Sequence, residues 1–138
     1  MIETDYKNKQ YDLKVENFKR DKGLGDIGEM WVDERLHSNV EVKTECDKKD
    51  INWSNSGNII IEYRGKDGRN SGISVTEAET WVQVLSINIK PLCALMFDTE
   101  RLKDYLRDNW DSLEKVKGGD GKRSSLIKLP LKKLLGLS

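Results

Sequence analysis

Hydrophobic and polar residues alternate most regularly between Val40 and Cys46, where Val40, Val42 and Thr44 fall on one side and Glu41, Lys43 and Glu45 on the other. Period two over that length predicts a strand. A second alternation runs from Asn58 to Arg64, with Ile59, Ile61 and Tyr63 opposite Ile60, Glu62 and Arg64. Ahead of both, Gly23-Leu24-Gly25 is expected to break the chain and Asp26 to cap a helix reaching about Leu36. Residues 1–20 are polar with weak alternation and read as an N-terminal arm or an edge strand. Asp47 to Gly57 is a polar loop carrying Trp53, Gly65-Lys66-Asp67-Gly68 has the composition of a turn, and Ser71 to Val75 fits a short strand.

Thr76-Glu77-Ala78-Glu79 has the form of a capping box and predicts a helix whose core-facing stripe is Ala78, Trp81, Val82 and Leu85. Beyond Pro91, Leu92 to Phe97 is apolar without interruption, the pattern of a strand buried on both faces. Asp98 or Thr99 is placed to cap a charged helix to about Trp110. Gly118-Gly119-Asp120-Gly121 reads as a loop, Ser125 to Leu129 as a strand, and the residues after Pro130 as a short amphipathic end. Together these elements predict an α/β domain: a single mixed β-sheet flanked by helices, with a C-terminal strand and short helix.

With 138 residues the chain fits a single domain, 1–138, with one core. No apolar run approaches the roughly 20 residues of a membrane-spanning helix, so a membrane protein is not expected. The N-terminus lacks a basic region followed by an apolar one, and the chain is read as cytoplasmic. Two cysteines, Cys46 and Cys93, and one histidine, His37, do not have metal-ligand spacing, and both thiols are expected buried and reduced. Lys+Arg and Asp+Glu number 24 each, so bulk charge makes no case for nucleic acid. The distribution does bear on it. Residues 115–138 form a basic C-terminal extension, in which Lys115, Lys117, Lys122, Arg123, Lys128, Lys132 and Lys133 face one acid, Asp120.

Glu41-Val42-Lys43 is the informative tripeptide, because a strand puts Glu41 and Lys43 on one face about 7 Å apart. In the preceding helix Asp26, Glu29 and Asp33 form one acidic stripe, and only His37-Ser38-Asn39 separates that helix from the Glu41 strand. With Gly28-Glu29, Val40 to Glu45, Ser56 to Glu62, Arg64-Gly65, Ser71-Gly72-Ile73 and Thr76 to Trp81, the chain resembles the PD-(D/E)xK nuclease superfamily. It is most similar there to small phage-type nucleases and Holliday-junction resolvases. The resemblance spans roughly Asp21 to Phe97 and implies a restriction-endonuclease-like αβββαβ core.

It also implies a metal-dependent endodeoxyribonuclease, with Glu41 as a metal-binding catalytic acid, Lys43 as the catalytic lysine and Glu29 as the helix glutamate. The superfamily's aspartate strand ahead of E-x-K is missing. Asp33 is taken for that ligand, from the end of the helix or from a strand over Trp31–Leu36, with Asp26 and Glu62 left open as alternatives. The implied cofactor is Mg²⁺, with Mn²⁺ able to substitute, since hard ions take carboxylate oxygens and keep waters for the phosphodiester. Lys43, beside carboxylates, is expected to act as a charged group that orients water or offsets developing charge. The implied substrate is DNA, branched or four-way, cut by a homodimer because two symmetry-related strands need two active sites. Duplex nicking, homing or restriction-type cutting, or a non-catalytic DNA-binding module, are the alternatives.

For DNA contacts, Trp53 is placed to stack on bases or to pack back on the sheet. Lys122 and Arg123 suit a basic hairpin on the DNA backbone. The Gly118–Gly121 loop lacks phosphate-loop spacing, so no nucleotide cofactor is expected. Trp81 and Trp110 are expected in the core.

Overall fold

A computed structural model describes residues 15–45, 53–118 and 123–136. The chain divides into two compact units, Met1–His37 and Ser38–Ser138. In the first, one helix, α1 (Val15–Leu36), runs without interruption through Gly23 and Gly25. The glycines therefore do not break the chain, and Asp26 lies inside the helix rather than at its cap. A glycine costs a helix about 1 kcal/mol relative to alanine, which weakens it, whereas only proline removes a rung of its hydrogen-bond ladder. Residues 15–20, expected in an arm or edge strand, are helical; residues 1–14 lie outside the described residues.

The second unit is α/β. A mixed three-stranded sheet has the order β1 (Val40–Glu45), β3 (Thr80–Ile87), β4 (Lys90–Asp98), with β1 parallel and β4 antiparallel to β3. An antiparallel sheet accompanies it, in the order β2 (Asn58–Arg64), β6 (Ser124–Pro130), β5 (Glu114–Gly118). Helix α2 (Trp53–Ser56) precedes β2, α3 (Thr99–Asp108) follows β4, and α4 (Leu131–Leu134) closes the described chain. Ile59, Ile61, Ile127 and Leu129 of the second sheet, Trp81 and Leu85 of the first, and Leu102 and Leu106 of α3 form one core. Asp98 caps α3 as expected, its carboxylate accepting from Arg101 N at 3.1 Å. Among the described residues no helix is long and apolar enough to cross a membrane.

Several local expectations are corrected. Residues 80–87 form β3, not a helix. The strand is buried on both sides from Thr80 to Val82, which erases the alternation and leaves apolar spacing that also fits period 3.6. Thr76 closes no capping box, because residues 76–79 open no helix: its hydroxyl donates to Glu41 and accepts from Ala78 N at 3.2 Å. Ser71 to Val75 is not a strand; Gly72–Ser74 forms a 3₁₀ turn. β4 is a strand, but an edge one, with Pro91, Leu92, Cys93 and Ala94 exposed. Cys93 is thus an exposed thiol, and Cys46 lies outside the described residues. Trp110 is 38% exposed and meets Tyr63 edge-on, with ring centroids 5.1 Å apart. The basic C-terminal stretch is no appendage: β6 is the central strand of its sheet.

Candidate active site

β1 lies at the edge of the mixed sheet, with Glu41 level with Trp81, Lys43 with Gln83 and Glu45 with Leu85. The polar row of β1 therefore shares the face that buries Trp81 and Leu85, and Val40 and Val42 take the exposed face. Lys43 Nζ lies 2.9 Å from Glu41 Oε1, with the two side chains 44% and 31% exposed. Thr76 Oγ1 donates to the other oxygen, Glu41 Oε2, at 2.5 Å. That hydroxyl above all, then the Lys43 ammonium, holds the Glu41 carboxyl below its ordinary range against the opposing effect of burial. Lys43 also sits over the Trp81 ring, 5.8 Å from its centroid.

A cleft of about 380 Å³ opens beside Lys43, lined also by Glu45, Glu62, Gln83, Lys117 and Lys128. It runs between the two sheets, since Lys43 and Gln83 come from the first and the other lysines and Glu62 from the second. Glu62 Oε2 accepts from Ser71 Oγ at 2.5 Å. Glu45 is 5% exposed. Its Oε1 accepts from Ile60 N at 2.7 Å and from Gln83 Nε2 at 2.5 Å, and Gln83 Oε1 accepts from Trp81 Nε1 at 2.9 Å. Burial pushes the Glu45 carboxyl upward, more than these two donors lower it.

The sequence-predicted residues divide between the two units. Glu41 and Lys43 form a close pair on β1, with Glu62 in the cleft that Lys43 lines. Asp26, Glu29 and Asp33 are exposed positions of α1, in the first unit. Residues 31–36 are helical, which removes the option of a Trp31–Leu36 strand. Asp33 Oδ1 lies 3.3 Å from His37 Nδ1. Trp53 takes the second of its two expected placements, packing back on the protein: its Nε1 donates to Ser86 O at 2.8 Å and its ring packs against the core. Arg123 is exposed, and Lys122 lies outside the described residues.

Four residues of the site escape sequence reasoning: Ser71, Thr76, Glu45 and Gln83. Glu45 carries a usable signal, because it is in phase with Glu41 and Lys43 along β1. The other three act on partners distant in sequence. Among the described residues no three His, Cys, Asp or Glu side chains gather as a metal-holding group. No protein-family model, no curated protein and no solved structure matches the chain.

Proposed function

We propose that the protein is a Mg²⁺-dependent endodeoxyribonuclease that hydrolyses phosphodiester bonds in branched DNA and works as a homodimer. The observation that carries this reading is the Glu41–Lys43 pair, whose lysine lines a cleft with Glu62 and two further lysines, Lys117 and Lys128. Acids beside several cations suit a substrate that is a polyanion and a reaction that builds negative charge.

The residues fit a hard divalent ion. Mg²⁺ is commonly held by one or two carboxylates together with substrate oxygens and water, so a dedicated cage of three or more ligands is not required. Glu41, beside Lys43, and Glu62, in the cleft lining, are the carboxylates that the second unit offers to such an ion. When bound, the ion supplies a polarised phosphoryl oxygen and an activated water. Glu41 contributes an ionised carboxylate, kept so by Thr76 and Lys43. Lys43 supplies a fixed positive charge for the phosphate and for the charge that develops on it. Lys117 and Lys128 hold the strand in the cleft through its phosphates.

The test is cleavage of linear duplex and four-way DNA with Mg²⁺ or Mn²⁺, alongside light scattering for the dimer. Cutting of four-way DNA supports the proposal. Cutting of linear duplex alone supports a nicking or restriction-type enzyme, and binding without cutting supports a DNA-binding module.

A further inference from the structure

Two hydroxyls on one short connection reach Glu62, which lines the cleft, and Glu41, which pairs with the cleft lysine Lys43. Ser71 Oγ donates to Glu62 Oε2 and Thr76 Oγ1 donates to Glu41 Oε2, each at 2.5 Å. Five residues apart, they act on carboxylates carried by β2 of one sheet and β1 of the other. Each bond leaves the second oxygen of its carboxylate for other work; at Glu41 that oxygen meets Lys43.

The connection is itself tied down along its length. Ser71 N donates to Tyr63 O at 3.1 Å and Ser74 Oγ to the same carbonyl at 2.8 Å. Thr76 N donates to Gly72 O at 3.1 Å, and Lys103 Nζ of α3 donates to Thr76 O at 3.1 Å. Ile73 is inserted in the core at 4% exposure, and Thr76 is 8% exposed. Gly72 has φ of +55°, and a β-carbon there would collide with the Glu62 carbonyl oxygen. Only glycine lets the connection lie this close to the strand that carries Glu62.

We infer that the Ser71–Thr76 connection is a positioning clamp, which fixes the Glu62 and Glu41 carboxylates relative to each other across the junction of the two sheets. Ser71 and Thr76 are positioning residues, acting through the acids rather than on substrate. The inference rests on the nuclease reading for its consequence in activity, and on geometry alone for its consequence in structure. Hydrogen bonds from supporting groups to metal-binding side chains are worth about 10–100-fold in metal affinity or activity.

The experiment compares Thr76→Val, Thr76→Ser and Ser71→Ala, each with thermal melting, cleavage kinetics and a metal-free crystal structure. Valine keeps the shape of threonine without its hydroxyl; serine keeps the hydroxyl without the methyl. Thr76→Val and Ser71→Ala are expected to lower kcat about 10–100-fold and to raise the half-saturating Mg²⁺ concentration, with KM for DNA near wild type. Thr76→Ser is expected to stay within a few-fold of wild type. In the crystals, the Glu41 carboxylate leaves its position in Thr76→Val and keeps it in Thr76→Ser. Wild-type behaviour of Thr76→Val beside a damaged Thr76→Ser would make Thr76 a packing residue and overturn the clamp. So would a Glu41 carboxylate unmoved in Thr76→Val. Should Thr76→Val fail to fold, Ser71→Ala at its half-buried site decides the matter through Glu62. Absence of cleavage by wild type in Mg²⁺ and Mn²⁺ overturns the nuclease reading instead, and the crystal structures still judge the clamp.

Discussion

Glu45 is the most deeply buried carboxyl among the described residues of the cleft, and its two donors, Ile60 N and Gln83 Nε2, converge on a single oxygen. Burial raises its pKa from the ordinary 4.5. A carboxyl raised on folding binds more protons in the native state than in the unfolded one. Its contribution to stability is therefore full below pH 4.5 and is lost as pH climbs through the raised value. Glutamine at this position retains an oxygen for both donors and cannot ionise. Urea melts of wild type and Glu45→Gln at pH 4, 6 and 8 are expected to show wild type losing ground to the variant as pH rises. A gap moving the other way would show that the Glu45 charge is stabilised in the cleft rather than penalised. Glu41 has the opposite sign: held low by Thr76 and Lys43, it contributes stability above 4.5 that fades as pH falls through its lowered value.

Elements whose signals are local were legible in the sequence, and elements decided by distant contacts were not. β2 alternates because Ile59 and Ile61 face the core, β1 alternates with its polar row on the core side and Val40 and Val42 exposed, and Asp98 caps α3 through a bond only three residues long. β3 lost its alternation by being covered on both sides. The glycines of α1 lower its helix propensity, yet nothing in the sequence ends the helix before Leu36. In the site, Glu41 and Lys43 stand out because strand geometry places positions i and i+2 together. Thr76 does not, because its partner lies 35 residues away, and Ser71 opens a segment that has the composition of a strand but forms a 3₁₀ turn.

The β3–β4 hairpin carries a testable oddity. Asn88 and Ile89 have φ of +51° and +59°, as a type I′ turn needs, but a β-branched residue is costly there. The left-handed conformation costs an L-residue about 1–2 kcal/mol, offset in part by the greater unfolded freedom of glycine. Ile89 is 89% exposed, so little packing is at stake. Ile89→Gly is expected to raise stability by up to about 1 kcal/mol in denaturant melts. A loss of stability would mean that the Ile89 side chain is held by a contact the turn needs.

At the scale of the whole molecule, a chain with equal numbers of acids and bases brings three lysines, Lys43, Lys117 and Lys128, to the cleft between the two sheets. Lys128 lines the cleft and lies 3.5 Å from Glu114, and Lys117, also in the lining, donates to Ser125 Oγ at 2.5 Å. Each lysine that neutralises a phosphate steepens the salt dependence of binding by about 0.9 in log K per log unit of salt on duplex DNA. Lys117→Ala with Lys128→Ala is expected to weaken DNA binding in Ca²⁺ alike for all sequences, and to flatten the salt slope by about two such contacts. Unchanged affinity and slope, in a variant that melts normally, would take these lysines out of the substrate path.

The nuclease assignment is tested most directly by Mg²⁺-dependent cleavage of four-way DNA by wild type and Glu41→Gln, with binding measured in Ca²⁺. The expected result is cutting by wild type, and a loss of at least about 100-fold in Glu41→Gln with DNA binding retained. Cleavage by Glu41→Gln at the wild-type rate would contradict the assignment of this site.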